Sequence, residues 1–295
     1  MDIVGLLATE RETLERDLDE WLPAEGEYPT LIHEALRYSA LGGGKRLRPI
    51  LALAATRSMG LDPDLIIRSA CAIEYVHCCS LVLDDLPSMD DASMRRGRPT
   101  VHKAFGVATA ILSADALLMH AFRLIADNGE AIGASGPSVA AAVRNLAMAV
   151  GSYGMVGGQH VDLEASSEGK SDPGIVEYIQ TRKTGSLFVV AATTGGTLLG
   201  AEQSRIDCVG QYARNLGLAY QIIDDILDVE GDENVVGKDL HKDQDKLTFV
   251  ALHGVDGARK MAREFVDEAL LSLDCAGDDA QVLRGLAGYC LERVS

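Results

Sequence analysis

Residues 80–91 read SLVLDDLPSMDD, an apolar segment that ends in two pairs of aspartates with a proline between them. Residues 221–228 read QIIDDILD and repeat the pattern of aliphatic residues beside carboxylates. Pro87 disturbs the helix end and predicts that Asp90 turns back toward Asp84. Because helices this apolar must pack inward, we expect the two acidic segments to meet at one mouth of a helical bundle.

The rest of the chain also reads as helices. Its 295 residues are 47% hydrophobic and 5% aromatic, and Ala, Leu, Ile and Val dominate, which favours helices over a many-stranded sheet. The apolar spacing predicts helices over about residues 1–20, 28–40, 46–59, 64–86, 100–127, 136–153, 173–199, 203–230, 247–253, 257–273 and 278–292. No linker or repeat interrupts them, so we predict one all-α domain spanning residues 1–295.

Composition also restricts the partners and the compartment. A formal charge of -17 argues against nucleic acid and against an anionic membrane surface, since both need a basic face. We find no apolar run of the about 18 residues that a membrane span needs, and no signal-type apolar core at the N-terminus. We therefore expect a cytoplasmic protein without a membrane span. The cysteines lack zinc-like spacing, so we expect buried, reduced thiols at Cys71, Cys78, Cys79, Cys208, Cys275 and Cys290.

The acidic segments have the composition of a metal site. Asp224 and Asp228 lie four residues apart, so both carboxylates project from one face of a helix. An exposed acidic face would explain one such segment as well as metal binding does, but carboxylates among aliphatic residues are costly unless a cation neutralises them. Ligand sets of oxygen alone suit Mg²⁺. Calcium is the alternative, although the spacing of an EF-hand is absent.

Two basic segments accompany the acidic ones. Residues 42–49 read GGGKRLRP and residues 95–100 read RRGRPT. Glycines let the backbone approach a bound group closely, and arginine forks suit phosphate oxygens. Each segment alone would more often be a solvated turn, but together with the acidic segments, in so acidic a chain, they predict a diphosphate-binding site.

Five motifs occur in order: GGKRLRP at 43–49, DDLPSMD at 84–90, RRG at 95–97, KTG at 183–185 and QIIDDILD at 221–228. Over residues 30–250 the chain thus resembles the trans-polyprenyl diphosphate synthases, and residues 80–92 are most similar to bacterial geranylgeranyl diphosphate synthases. The resemblance implies a helical bundle of the isoprenoid synthase type around a deep cavity, and a homodimer. It also implies that isopentenyl diphosphate condenses with dimethylallyl, geranyl or farnesyl diphosphate and that diphosphate is released.

The resemblance assigns roles by position. Isopentenyl diphosphate is expected at Lys45, Arg48, His77 and Arg96. Mg²⁺ on the allylic diphosphate is expected at Asp84, Asp85, Asp90, Asp224, Asp225 and Asp228. Further contacts to the allylic diphosphate are expected from Arg95, Lys183, Gln221, Lys238 and Lys246. The residues expected to act most directly on catalysis are Asp84, Asp85, Lys183, Thr184, Gln221 and Asp224, of which Lys183, Thr184 and Gln221 are candidates for steadying the allylic carbocation. Gln159 and Asp162 are candidate supporting groups.

Two features depart from the usual family pattern. Leu83 stands where many members have histidine before the first aspartate pair, although members of carotenoid pathways share this departure. The segment between Lys238 and Lys246 is shorter than usual, which weakens the assignment of Lys246.

The residues before Asp84 bear on product length. In this family an aromatic residue five positions before the first aspartate stops growth at farnesyl diphosphate, and Cys79 holds that position here. With Cys78 and Ser80 it forms a small wall, which opens the tunnel by about one helical turn of ~5.4 Å. Tyr75 is then a candidate floor, with Met119 and Phe122 as alternatives. We predict geranylgeranyl diphosphate as the product, with farnesyl diphosphate as the alternative.

Two other classes of protein were weighed. A class I terpene cyclase also has an aspartate-rich site, but it needs no second pocket such as Lys45, Arg48 and His77, and it lines its cavity with aromatic residues. A non-catalytic regulatory subunit of the same family would have lost at least one acidic segment, whereas both are complete here.

Overall fold

The computed structural model describes residues 2–168, 172–230, 248–276 and 280–293, and it confirms the all-α prediction. The helices are α1 (Ile3–Glu20), α2 (Thr30–Ala40), α3 (Leu47–Ser58), α4 (Ile67–Asp84), α5 (Val101–Phe105), α6 (Val107–Ala131), α7 (Gly136–Val150), α8 (Met155–Glu168), α9 (Pro173–Ile179), α10 (Ser186–Leu199), α11 (Gln203–Glu230), α12 (Phe249–Ser272) and α13 (Gln281–Glu292). Short 3₁₀ turns precede α4 and follow α12, at Pro63–Ile66 and Leu273–Cys275.

The helix starts follow local capping chemistry. The side chain of Asp172 accepts a hydrogen bond from the Gly174 amide at 2.8 Å, with Pro173 at the first helical position. The Ser135 hydroxyl caps α7 in the same way, accepting from Ser138 at 3.2 Å. These caps satisfy amides that the first helical turn leaves unpaired, which explains why α9 and α7 begin where they do.

Four stretches differ from the helices that apolar spacing predicts. The span 100–127 is divided between α5 and α6 at Gly106. The φ of Gly106 is 86°, a positive value that interrupts the helix and that glycine adopts more easily than any other residue. The span 173–199 contains a π-helical segment, Gln180–Gly185, between α9 and α10. The two last predicted spans before α13 form one helix, α12, bent at Gly254. Residues 155–168 form α8, which the spacing did not predict because polar residues and glycines interrupt its apolar pattern.

A short hairpin follows the first acidic segment. Strands β1 (Met94–Arg95) and β2 (Arg98–Pro99) pair antiparallel, with Arg95 opposite Arg98. Its two turn residues, Arg96 and Gly97, have φ values of 53° and 76°. A two-residue hairpin turn of this kind requires positive φ at both positions, so the RRGR sequence brings its arginines together on a rigid turn.

Helix α4 lies at the centre of the bundle. It packs against α3 and α6, while α10 packs against α3, α7 and α11, and α11 packs against α12. Most α4 residues from Ser69 to Val82 are buried on all sides, as expected of a helix that is apolar around its whole circumference. The first acidic segment therefore emerges directly from the core.

The structure corrects two expectations, one about the length of the apolar helices and one about a cysteine. Three helical spans are long and apolar enough to cross a membrane, Pro63–Asp84, Val107–Ala131 and Gly136–Ala165, although 67% of the most apolar window of the first is buried inside the chain. Isolated polar residues interrupt each of these helices, so none of them contains an unbroken apolar run of that length. The expectation of reduced thiols fits Cys71, Cys78, Cys79 and Cys290, which are free and buried, but Cys208 is disulfide-bonded.

Candidate active site

The first acidic segment is held by the hairpin. Asp85 follows the end of α4 and is only 2% exposed. The Arg95 guanidinium donates to both of its carboxylate oxygens at 2.7 to 2.9 Å. Burial by itself lowers the pKa of Arg95, but its bonds to Asp85 outweigh that effect and raise it. This forked ion pair fixes the basic turn against the carboxylate end of α4.

The segment folds back as the proline predicts. The Asp90 amide donates to the Asp84 carbonyl at 2.9 Å, and the Met89 amide donates to the Leu86 carbonyl at 2.9 Å. Pro87 lies in the turn that connects them. The first and last aspartates of the segment are thereby brought onto one compact loop.

The second acidic segment lies in the last two turns of α11, which continues to Glu230. Asp225 and Asp228 are buried, at 4% and 3% exposure. The Gln221 amide donates to Asp225 at 2.9 Å, and the Thr184 hydroxyl donates to Gln221 at 2.8 Å. The π-helical segment thus orients a carboxylate of α11 through Gln221.

A continuous series of contacts joins the two acidic segments. Met89 lies 3.8 Å from the Gln159 amide on α8. One turn further along α8, Asp162 accepts from the Lys183 ammonium at 2.7 Å, and Lys183 precedes Thr184. Both candidate supporting groups, Gln159 and Asp162, are therefore part of the contacts that connect the two acidic segments. The π-helical segment makes this possible because it turns Lys183 and Thr184 toward different partners.

A basic pocket lies between α3, α4 and the hairpin. The Arg48 guanidinium lies 5.0 Å from the Phe188 ring, and its Nε is buried without a hydrogen-bond partner among the described residues. Burial lowers the pKa of Arg48. Burial also lowers the pKa of His77 well below its usual value, and the nearby Arg48 and Arg96 charges lower it further. A desolvated cation beside a neutral imidazole is suited to receive an anion.

Glycines leave room for arginine side chains in this pocket. A β-carbon on Gly44 would meet the Arg96 guanidinium at 2.9 Å, and one on Gly42 would collide with that of Arg98. Lys45, exposed at the pocket, lies 5.8 Å from the Tyr220 ring. The glycines thus leave room for arginine side chains close to the backbone, whereas their predicted close approach to a bound group stays a prediction.

Arg293 is a residue at the site that no sequence pattern predicts. Arg293, the last residue of the chain that the structure describes, contacts Asp224 and lies 4.3 Å over the Tyr220 ring. Burial by itself lowers the pKa of Arg293, but Asp224 and Tyr220 outweigh that effect and raise it. A contact between residues so far apart in the chain follows from packing alone, and no local pattern predicts it.

The expected tunnel wall divides between two sides of α4. Cys79 is 2% exposed, and burial, followed by the charge of Asp115 on α6, raises its pKa to about 12. Cys78 instead lines a small cavity with Arg96 and Gly42, so it belongs to the basic pocket. The Ser80 hydroxyl donates to the His77 carbonyl at 2.9 Å. Of the residues predicted for the wall, Cys79 is therefore the one that lies toward α6.

Tyr75 lies four residues before Cys79 on α4, and its contacts hold it in place. It is fully buried, its hydroxyl donates to the Leu18 carbonyl at 2.6 Å, and its ring lies 5.4 Å from the His120 ring. Met119 is 59% exposed in the single chain. Of the residues proposed for the floor, Tyr75 has the firmest support from its surroundings.

Lys238 and Lys246 lie outside the described residues. Within the described ranges, no three His, Cys, Asp or Glu side chains form a compact metal-ligand group. Mg²⁺ bound together with phosphates commonly takes only one or two carboxylates from the protein, and it prefers oxygen ligands. The aspartate-only donor set therefore fits Mg²⁺ that is shared with a diphosphate.

Comparison with known proteins identifies the family. The polyprenyl synthetase model matches residues 29–283. The chain is 38% identical to geranylgeranyl diphosphate synthase of Cyanophora paradoxa, covering 99% of this chain and 97% of that protein. It is 39% identical to farnesyl diphosphate synthase of Geobacillus stearothermophilus, covering 96% and 95%.

A solved structure of geranyltransferase from Helicobacter pylori, complexed with magnesium and isoprenyl diphosphate, superimposes with a TM-score of 0.83 at 28% identity, covering 99% of this chain and 97% of that one. The fold is thus that of the isoprenyl synthases, and the chain is a trans-prenyltransferase. The chain belongs to the polyprenyl synthetase family. Its relatives include both geranylgeranyl and farnesyl diphosphate synthases, so family membership leaves the product open.

Proposed function

We propose that the protein condenses isopentenyl diphosphate with dimethylallyl, geranyl and farnesyl diphosphates, requires Mg²⁺, and produces geranylgeranyl diphosphate. The observation that carries the proposal is the series of contacts from Met89 through Asp162 and Lys183 to Asp225, with the basic pocket of Arg48 and Arg96 beside it. A bundle with two acidic segments and a separate basic pocket suits two diphosphate substrates.

Each diphosphate has its own group of residues. In the proposed site, Lys45, Arg48, Arg96 and His77 bind isopentenyl diphosphate, and the neutral His77 donates one hydrogen bond. Arg95 and Lys183 bind the allylic diphosphate, whose departure is aided by their positive charge. The ion pairs support this assignment. Arg95 lies against Asp85 and Lys183 lies against Asp162, so both cations are already held in place.

The metal is proposed at the two acidic segments. The residues that would hold it are Asp84, Asp85, Asp90, Asp224, Asp225 and Asp228. Bound Mg²⁺ supplies charge neutralisation for the leaving diphosphate. The chain contributes the orientation of its carboxylates, and Gln221 and Thr184 provide it for Asp225.

Carbon-chain growth is proposed to end at twenty carbons. Cys79 is small, and it occupies the position where an aromatic residue would block the tunnel. The buried Tyr75, held by the Leu18 carbonyl and packed against His120, then forms the floor. The apolar surroundings of α4 also exclude water, which would otherwise trap an allylic carbocation.

We also propose that the protein is a homodimer. The most apolar windows of Val107–Ala131 and Gly136–Ala165 are only 39% and 28% buried within the single chain. Large apolar side chains on α6, including Ile111, Leu112 and Met119, are exposed. An anionic membrane surface is a poor partner for a chain of charge -17, whereas a second copy offers a matching apolar face.

The cytoplasm remains the proposed location. The net charge of -17 and the burial of 67% of the most apolar α4 window support it. Fractionation of cells that make the full-length protein tests this proposal. Recovery in the soluble fraction without detergent is expected, and a requirement for detergent would argue for membrane association.

The reaction is tested by diphosphate release from purified protein. Release is expected only when isopentenyl diphosphate, an allylic diphosphate and Mg²⁺ are all present, and chelation with EDTA should abolish it. Release from the allylic substrate alone at the same rate would contradict a condensation reaction. Asp225→Asn serves as a variant of near-equal shape that removes one carboxylate charge, and we expect it to lower kcat by about 100-fold.

A further inference from the structure

A buried ion cluster lies directly behind the basic pocket. Arg46 is 1% exposed. Its guanidinium donates to Glu15 at 2.8 and 2.9 Å, to Glu74 at 2.8 Å and to the Ala40 carbonyl at 2.7 Å. These partners belong to α1, α4 and the end of α2, so one side chain connects three helices to the start of α3.

The cluster keeps its charges although it is buried. Burial by itself lowers the pKa of Arg46, but Glu15 and Glu74 outweigh it and raise the pKa above its usual value. A buried cation that loses one partner leaves an uncompensated charge, which is far more costly than an exposed pair. The ion pairs with both glutamates therefore hold the Arg46 guanidinium in one position.

The cluster also fixes a backbone shape that the loop does not favour. Arg46 has a φ of 50°, and Gly43 and Gly44 before it have φ values of 79° and 135°. A left-handed conformation is strained for a residue other than glycine, because its β-carbon comes too close to the following carbonyl oxygen. The ion cluster offsets this strain, and the resulting turn places Lys45 and Arg48 on either side of the anchored residue.

Glu74 provides the matching anchor on α4. It is 1% exposed and precedes His77 by three residues, less than one helical turn. The cluster therefore relates the position of His77 on one wall to that of Lys45 and Arg48 on the other. Glu15 completes it from α1, a helix that carries none of the site residues assigned above.

We propose that Glu15, Arg46 and Glu74 form a positioning cluster that sets the spacing of Lys45, Arg48 and His77 for isopentenyl diphosphate. Helix α1 thereby controls the affinity for one substrate without touching it. This inference rests on the proposed function, since it takes isopentenyl diphosphate as the ligand of the basic pocket.

Glu15→Gln tests the cluster with the least damage, because Glu74 still neutralises Arg46. We expect the KM for isopentenyl diphosphate to rise about tenfold, the loss that corresponds to one charged hydrogen bond. The kcat and the KM for farnesyl diphosphate should stay within about twofold of their original values. Glu12→Gln is the control, since it makes the same change at an exposed position of the same helix.

Arg46→Lys is the second variant, because it keeps the charge but loses the fork that reaches both glutamates. It should raise the same KM selectively, and circular dichroism and thermal unfolding establish that each variant is folded. A fall in kcat with both KM values unchanged, or an equal rise in both KM values, would reduce the cluster to a structural role. Absence of isopentenyl diphosphate turnover in the unaltered protein would instead overturn the proposed function itself.

Discussion

At the scale of single residues, the site is organised by pairs of opposite charge. In two of the pairs the carboxylate belongs to an acidic segment and in the third it lies on α8, and each cation comes from a different element of the fold. The pairs are Arg95 with Asp85, Lys183 with Asp162, and Arg293 with Asp224. In the proposed site these cations lie close to the metal-bound diphosphate, so we expect their positions to matter as much as their charge.

Asp162→Asn tests whether activity depends on the position of the Lys183 ammonium. The substitution removes the charge that holds the Lys183 ammonium at 2.7 Å while keeping the side-chain volume. We expect kcat to fall about tenfold, since one misplaced cation weakens stabilisation of the leaving group, with the KM for isopentenyl diphosphate unchanged. Steady-state kinetics measure both values.

Asp256→Asn is the control for this change, because Asp256 is fully exposed on α12. It should leave both kinetic parameters unaltered. An Asp162→Asn variant with the original kcat would show that Lys183 does not depend on its partner.

His77 should make stability depend on pH. Its pKa is lowered in the folded protein, first by burial and then by Arg48 and Arg96, so below about pH 6.5 the unfolded chain binds a proton that the folded chain does not. Stability is therefore lost as pH falls from about 6.5 toward the folded-state pKa, by at most about 1.4 kcal/mol per pH unit for one group.

His77→Gln should flatten this dependence. Denaturant unfolding at pH 7 and pH 5 gives the free energies, and the variant should lose less stability between them than the unaltered protein. His120, whose pKa is also lowered by burial, remains in both proteins and cancels in the comparison. Equal losses in the two proteins would contradict a neutral His77.

At the scale of helices and turns, the sequence predicts most of the fold but not its interruptions. Apolar spacing indicates α4 and α11 well, because their patterns are long and their acidic segments follow directly. The π-helical segment Gln180–Gly185 is invisible to the same reasoning, since residues 173–199 read as one uninterrupted helix. The motif residues Lys183 and Thr184 were predicted by resemblance, whereas their separate partners required the structure.

Contacts between distant elements could not be predicted from the sequence either, whereas a local turn could. The proline turn that returns Asp90 to Asp84 follows from local chemistry. The contact of Arg293 with Asp224 and the cluster around Arg46 depend on how helices pack, and a single sequence carries no periodic signal for them.

Helix α4 should determine product length through Cys79. Cys79→Phe places a ring at the buried wall, where it fills the opening of about one helical turn. We expect the main product to shorten from twenty carbons to fifteen, while total isopentenyl diphosphate consumption in the first condensation persists. Chromatography of the hydrolysed products measures the chain length.

Cys79→Ser is the matched control, because it keeps a small side chain at the same position. It should still make twenty-carbon product. A Cys79→Phe enzyme with an unchanged product distribution would remove Cys79 from the tunnel wall.

At the scale of the whole molecule, the apolar face of α6 should govern assembly. Leu112 is 57% exposed in the single chain, and Leu112→Glu would place a charge in the proposed interface, which costs several kcal/mol if the charge is buried there. Analytical ultracentrifugation should show a dimer for the unaltered protein and a shift toward monomer for the variant.

Leu65→Glu is a control on a different surface, since Leu65 is also exposed, at 43%. It should leave the dimer intact. A monomeric unaltered protein would contradict the proposed assembly, and recovery only in lipid vesicles would assign the apolar face to a membrane instead.

The most direct measurement of the proposed function is the product of the unaltered enzyme. Purified protein is incubated with Mg²⁺, isopentenyl diphosphate and, in separate reactions, dimethylallyl, geranyl and farnesyl diphosphate, and the hydrolysed products are separated by chain length. We expect a twenty-carbon linear alcohol from all three. A fifteen-carbon product from the two shorter substrates, with no elongation of farnesyl diphosphate, would contradict the open wall at Cys79, and cyclic hydrocarbon formed without isopentenyl diphosphate would contradict the condensation itself.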